Sequence, residues 1–204
     1  MPASDELLSG LGEIANNGRV LAVIWHAYFS ALVLALALGV RPSARLGGLL
    51  LSLPLFSVSV LAWAQANPFN ATLFAVLGTV TLSMPARHSE RLQTAPWWAV
   101  SSGALLFAFG WIYPHFVETP STLTYLYASP LGLIPCPTLC AVIGIGLMLR
   151  GLGSYAWMVV LGAAGVFYGI FGAARLGVTL DWVLVAGALM MLFYMVAAYR
   201  ARRA

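Results

Sequence analysis

Ala128-Ser-Pro-Leu-Gly-Leu-Ile-Pro-Cys-Pro-Thr-Leu-Cys-Ala-Val-Ile-Gly-Ile-Gly-Leu-Met-Leu-Arg150 is apolar enough to lie in a bilayer, yet it holds Pro130, Pro135, Pro137 and both cysteines of the chain. Proline lacks the N–H that a helix interior needs but suits the first helical position. The pattern predicts a helix from about Pro137, with Cys136 as its capping residue. From Pro137 to Arg150 is 14 residues, about 21 Å at 1.5 Å per residue, short of the roughly 30 Å of a hydrocarbon core. Residues 130–136 must then cross the remaining depth in non-helical form. Irregular backbone at that depth is tolerated where it is buried in protein or lines a polar cavity, and broken helices mark binding sites in transporters. The competing reading is a helix that begins near the surface after a proline-rich loop.

The composition agrees with a bilayer setting. Of 204 residues, 61% are hydrophobic and 8% charged, with mean hydropathy +0.91, against about 25% charged in soluble domains. All ten basic residues are arginine. They stand singly or in short groups between apolar segments, which argues against nucleic acid as the source of the +4 net charge. The acidic start, Met-Pro-Ala-Ser-Asp-Glu-Leu-Leu-Ser-Gly, lacks the basic region and cleavage site of a signal peptide.

Outward from the broken stretch, seven hydrophobic segments are expected at about 19–40, 45–64, 68–84, 97–114, 130–150, 154–175 and 179–199. Residues 1–18 form an N-terminal segment. Within it Leu7, Leu8, Leu11 and Ile14 make one stripe, which predicts a short helix over residues 4–15 lying at the membrane interface. Residues 19–204 form one transmembrane domain. The tight links Arg41-Pro-Ser-Ala-Arg45 and Gln65-Ala-Asn-Pro68 predict antiparallel hairpins. With the N-terminus outside, eight arginines (41, 45, 87, 91, 150, 200, 202, 203) face the cytoplasm and two, Arg19 and Arg175, face out. The positive-inside rule therefore predicts N-out and C-in. Trp25, Trp63, Trp111 and Trp182 then fall near outer helix ends, and Trp97, Trp98 and Trp157 near inner ends, as interfacial belts require. Gly162, Gly165, Gly169, Gly172 and Ala173 give segment six a small-residue face for a neighbouring helix, and Pro54 should kink segment two.

On this topology the unusual polar residues gather on the outer side. His26 lies a third of the way into segment one. Asn67 and Asn70 flank the start of segment three, and His115 and Glu118 follow segment four. Cys136, Thr138 and Cys140 head the broken segment, and Asp181 opens segment seven. His88 and Glu90 fall on the cytoplasmic side as loop residues. Three chemistries suit the set. Cys136 and Cys140, four apart on one helix face, could bind Cu or Zn with His26 and His115; against this stands the ordinary behaviour of free cysteine as a small buried hydrophobe. Thiol redox is disfavoured, because a disulfide at that spacing is strained on a regular helix and the motif is not C-x-x-C. Passage of a solute or ion would use the half-helix start at Cys136–Thr138, whose positive end could hold an anion or a polar head group, with Glu118, His115 and His26 as gating or proton-linked groups. A histidine pair binding haem lacks any feature that sets two rings across a porphyrin. Tyr113, Tyr125 and Tyr127 read as interfacial anchors.

Tyr127-Ala-Ser-Pro-Leu-Gly-Leu-Ile-Pro-Cys-Pro-Thr138, together with Asn67-Pro68 at the start of an earlier helix, resembles a family of small polytopic bacterial membrane proteins known as a domain of unknown function. Their shared stretch is G-x-x-P-C-P-T-like. The resemblance implies a similar spread of spans and makes Pro135, Cys136, Pro137 and Thr138 the common feature, with Cys140 outside it. It implies no activity.

The sequence thus predicts an all-α, multi-pass protein of the bacterial cytoplasmic (inner) membrane, with seven transmembrane helices and a proline-broken fifth segment. Its outward-facing polar pocket is expected to bind or transport a small solute or ion. The lipid bilayer is the expected partner. An accessory subunit of a larger membrane complex is the second reading, and a metal- or haem-dependent redox protein the third.

Overall fold

In the structure, a computed structural model, residues 4–85 and 91–203 are described. They are all-helical, with no strand among them; Ser43 and Arg91 form one isolated antiparallel bridge. In chain order the helices are α1 Ser4–Asn17, α2 Arg19–Ala37, α3 Ala44–Ala64, α4 Pro68–Ser83, α5 Trp97–Ile112, α6 Tyr125–Ala128, α7 Pro135–Met148, α8 Tyr155–Ile170 and α9 Trp182–Ala201. Four helical stretches are long and apolar enough to cross a membrane: 19–37, 44–64, 155–175 and 179–201. Three more, α4, α5 and α7, are apolar but shorter. Each predicted hydrophobic segment therefore contains a helix. His88, Glu90 and Arg87 lie outside the described residues.

The broken segment begins two residues earlier than the sequence suggests. Its helix starts at Pro135, not Pro137, and Ile134 rather than Cys136 precedes it. Ile134 is extended (φ −124°, ψ 159°), as a residue before proline prefers. Pro137 still falls in the first turn, where a missing N–H breaks no helical hydrogen bond. Upstream, Gly132 takes φ +75°, and a Cβ there would run into the Trp25 ring. The Thr138 hydroxyl accepts from the Gly132 N–H at 3.0 Å and donates to the Ile134 carbonyl at 2.7 Å. One side chain thus ties the irregular stretch to the helix that follows it.

Helix α7 is the axis of the bundle. Every residue in it except Cys136 and Met148 is buried, as expected of a helix apolar on all sides. It packs most closely on α5 and also meets α3, α8 and α9. The α5–α7 contact is backbone to backbone: a Cβ on Gly144 would sit 2.6 Å from the Gly103 carbonyl, and one on Gly110 would sit 2.6 Å from the Pro137 carbonyl. The glycine face of α8 meets α9 and α7, with Gly162 against Leu192 and Gly165 against Ile143 and Ala188. Both contacts use small residues to bring helices close, where van der Waals packing is the main attraction available in lipid. α3 and α4 form the third close pair, joined by Ser59 Oγ donating to the Ala71 carbonyl at 2.7 Å. Pro54 is accommodated within a continuous α3. Helix α2 is peripheral. It reaches α3 through side chains, Trp25 Nε1 donating to Ser57 Oγ at 3.1 Å and Tyr28 Oη to the Leu50 carbonyl at 2.8 Å.

At the arginine-rich end the loops are strapped to one another. Leu92 N–H donates to the Pro42 carbonyl, and Ala95 N–H to the Met148 carbonyl, both at 2.9 Å. Arg150 binds the Thr94 carbonyl at 2.9 Å and Gln93 Oε1 at 2.6 Å. Beneath them Trp157, expected as an interfacial anchor, is fully buried and donates through Nε1 to Thr81 Oγ1 at 3.0 Å. Helix α8 reaches the bundle centre within its first turn, so an aromatic there meets protein rather than a headgroup region.

Candidate functional site

The opposite end of the bundle encloses a cavity of about 700 Å³. The end of α3, the starts of α4 and α7, the end of α8 and the turn before α9 all contribute to it. Helix α1 forms a further wall, presenting Leu7, Leu11 and Ile14, the stripe expected to lie on the membrane. The wall is mainly apolar and rich in aromatic rings, among them Phe69, Phe116, Phe167, Tyr168 and Phe171. A few polar side chains converge on it, the general form of a small-molecule site.

Asp181 is the centre of that polar set. It stands at the start of α9 but makes no capping bond there; its carboxylate turns into the bundle and is 2% exposed. Tyr113 Oη donates to Asp181 Oδ1 at 2.6 Å, and Cys136 Sγ donates to Oδ2 at 3.2 Å. The backbone makes room for this. After α8 the chain widens into a π-helical turn over Phe171–Arg175, and Gly172 lies so close to the carboxylate that any Cβ would collide with Oδ2. π-turns inside helices are frequent at functional sites. Beside this group, Tyr168 Oη donates to Asn70 Oδ1 at 2.9 Å. Asn67 Oδ1 accepts from the Asn70 N–H at 3.1 Å, so Asn67 caps α4 and lines the cavity at once.

Of the residues singled out from sequence, Asn67, Asn70, Cys136 and Asp181 meet around one cavity. Thr138 is buried behind the wall as the tie within the irregular turn. Cys140 is fully buried against Gly110 on α5. His26 is also buried, away from the cavity: Nδ1 lies 2.8 Å from the Ala22 carbonyl and Nε2 3.1 Å from the Trp111 carbonyl, with the indole of Trp111 edge-on. His115 packs edge-on against Phe116 in the 113–121 loop, and burial holds it below the usual histidine range. Glu118 is exposed on the same loop. The structure therefore does not join His26 and His115 to the cysteines. Among the described residues no three His, Cys, Asp or Glu side chains gather in a metal-ligating group. Both cysteines are free thiols.

Three parts of the site carry no decisive signal in the sequence. Tyr113 looked like an interfacial anchor but is fully buried on Asp181. Tyr168 sat inside an apolar run with no signal beyond its hydroxyl. The third is α1, which polar side chains at both its ends tie over the cavity. Asn16 Nδ2 donates to the Phe116 carbonyl at 3.0 Å, and its Oδ1 accepts from the Glu118 N–H at 2.9 Å. Arg19 adds bonds to Asn16 Oδ1 at 3.1 Å and to the Glu118 carbonyl. At the other end of α1, Arg175 Nη1 donates to Ser4 Oγ at 2.7 Å.

No protein-family model matches this chain, and neither the curated proteins nor the solved structures contain a match to it.

Proposed function

We propose that this is a multi-pass protein of the bacterial inner membrane that binds a small solute in the α1-covered cavity, on the way to transport or delivery. The observation that carries the reading is the cavity itself: about 700 Å³ of mainly apolar space at the broken segment, with a buried carboxylate and a thiol in its wall, the carboxylate held from behind by Tyr113. Ligand sites combine such apolar volume with a few convergent polar groups. In this reading the three shorter helices also cross the bilayer, giving seven spans. Irregular residues 129–134 complete the crossing of α7, shielded by α2, α5 and α1. The arginine distribution supports N-out and C-in, so the cavity opens on the outer side and α1 lies along that interface.

The test uses the two thiols as reporters. In Cys140→Ala protein, N-ethylmaleimide should modify Cys136, and neopentylbenzene, an apolar molecule that fits the cavity, should slow the reaction. In Cys136→Ala protein, the buried Cys140 should stay unmodified. Equal reactivity of the two thiols, with no protection by neopentylbenzene, would remove the binding reading. Purification in fixed ratio with another membrane subunit alongside that result would support the accessory role instead.

A further inference from the structure

The cavity has a charge pattern that selects among ligands. Its mouth carries one acid and one base, Glu6 and Arg175, both exposed, with Arg175 engaged by Ser4. Its inner end carries a single carboxyl, Asp181, bonded by two neutral donors, Tyr113 and Cys136. Among the described residues Asp181 makes no ion pair. A carboxylate buried in an apolar site without a cation is costly, and intramembrane carboxyls are found paired or in a pathway. A carboxylate has about four acceptor positions, of which two are used here.

An anion does not fit this end. The start of α7 has lost the N–H groups of Pro135 and Pro137, the Gly132 N–H is taken by Thr138, and Asp181 itself would repel negative charge. A hard cation such as Ca²⁺ or Mg²⁺ does not fit either, because it requires about six oxygen ligands, and among the described residues no three His, Cys, Asp or Glu side chains gather for a softer metal. The surroundings offer ring faces instead. Phe167 stacks with Phe171 at 6.1 Å, lies 6.0 Å from Phe69 and stands edge-on to Tyr168 at 5.3 Å. Ring faces attract cations, most strongly when water is excluded, and an aromatic wall is the usual site for a quaternary ammonium.

We propose that the Asp181 end of the cavity takes a hydrophobic organic cation, an ammonium group with an apolar body, the charge meeting Asp181 and the ring faces of Phe167 and Phe171 and the body lying against Phe69 and the rest of the apolar wall. This rests on the cavity being a ligand site and names the class of ligand. The neutral hydrogen bonds from Tyr113 and Cys136 hold the carboxylate in place, leaving its remaining acceptor positions for the ligand.

The test compares two probes of the same shape, benzyltrimethylammonium and its uncharged carbon isostere neopentylbenzene, titrated into the full-length protein in a non-ionic detergent. The wild type should bind the cation about tenfold or more tighter than the neutral isostere. Asp181→Asn should bring the two affinities to within about threefold, leaving neopentylbenzene binding intact. If Asp181→Asn does not fold, Phe167→Leu at the half-exposed rim should reduce the preference for the cation. Neopentylbenzene binding as tightly as the cation to wild type would overturn the cation assignment and leave the cavity reading standing. Binding of neither would overturn both.

Discussion

The two ends of the bundle solve the same problem, closing helix ends, in opposite ways. At the arginine-rich end, described backbone groups pair loop to loop and arginines donate to carbonyls, with Trp157 filling the space below. At the other end the irregular turn, the π-turn and the 113–121 loop leave about 700 Å³ between them, and a separate helix is laid across it. Close packing is the norm in protein interiors, and voids of this size are few and seldom incidental. The closed end therefore carries stability that the cavity end forgoes. α7, with its glycine contacts to α5, is the axis on which both ends stand.

The most disruptive change should be Gly144→Leu, which drives a large side chain into the α5 backbone. It is expected to abolish monodisperse protein in size-exclusion chromatography, since overpacking against main chain has no cheap relief. At the closed end alone, Trp157→Ala should cost about 3–5 kcal/mol by thermal unfolding, with neopentylbenzene binding in the surviving folded fraction unchanged. Loss of that binding would mean the ends are not separable. At the open end, Tyr113→Phe removes one donor from Asp181 and should cost about 1.5–3 kcal/mol, while also changing the affinity for benzyltrimethylammonium, which Trp157→Ala should not. Asn16→Ala should lower bundle stability by only about 1 kcal/mol. It should nonetheless speed N-ethylmaleimide modification of Cys136 about fivefold, because the same ~1 kcal/mol is taken from closure of α1. Unaltered thiol reactivity would show that the Asn16 bonds do not hold α1 down.

The smallest effect concerns pH. Burial holds His115 below the usual histidine range, so on acidification the unfolded chain takes up that proton first. The contribution of the neutral ring is full above about pH 6.5 and is lost as pH falls below it. Wild-type protein should therefore lose more thermal stability than His115→Gln between about pH 7 and pH 5. Parallel curves would remove His115 from the packing of the cavity loop.

Much of this was legible before any fold was known. The apolar runs, the tight links and the break at Pro135 are local properties, set by composition and by proline chemistry, and each run does contain a helix. Asn67 at the start of α4 and Cys136 at the broken helix follow from the same short-range rules. A short-range signal misleads where it allows two outcomes. Either Pro135 or Pro137 can open a helix, and the extended residue before Pro135 decided it. A tryptophan near a helix end can face headgroups or protein, and the burial of α8 decided Trp157.

Composition, periodicity and proline placement thus determined that the chain is a set of apolar helices, four stretches of them long enough to cross a membrane, with one helix broken near its cysteines. Only the tertiary structure decided which polar groups meet. Asp181 joins Tyr113 across 68 residues and Cys136 across 45; Asn16 reaches Phe116 across 100, and the two histidines are turned away to backbone and ring partners. Such pairings depend on which helices are neighbours, and in lipid that is set by where glycines let backbones approach. Nothing in a one-dimensional pattern of apolar residues records which glycine meets which.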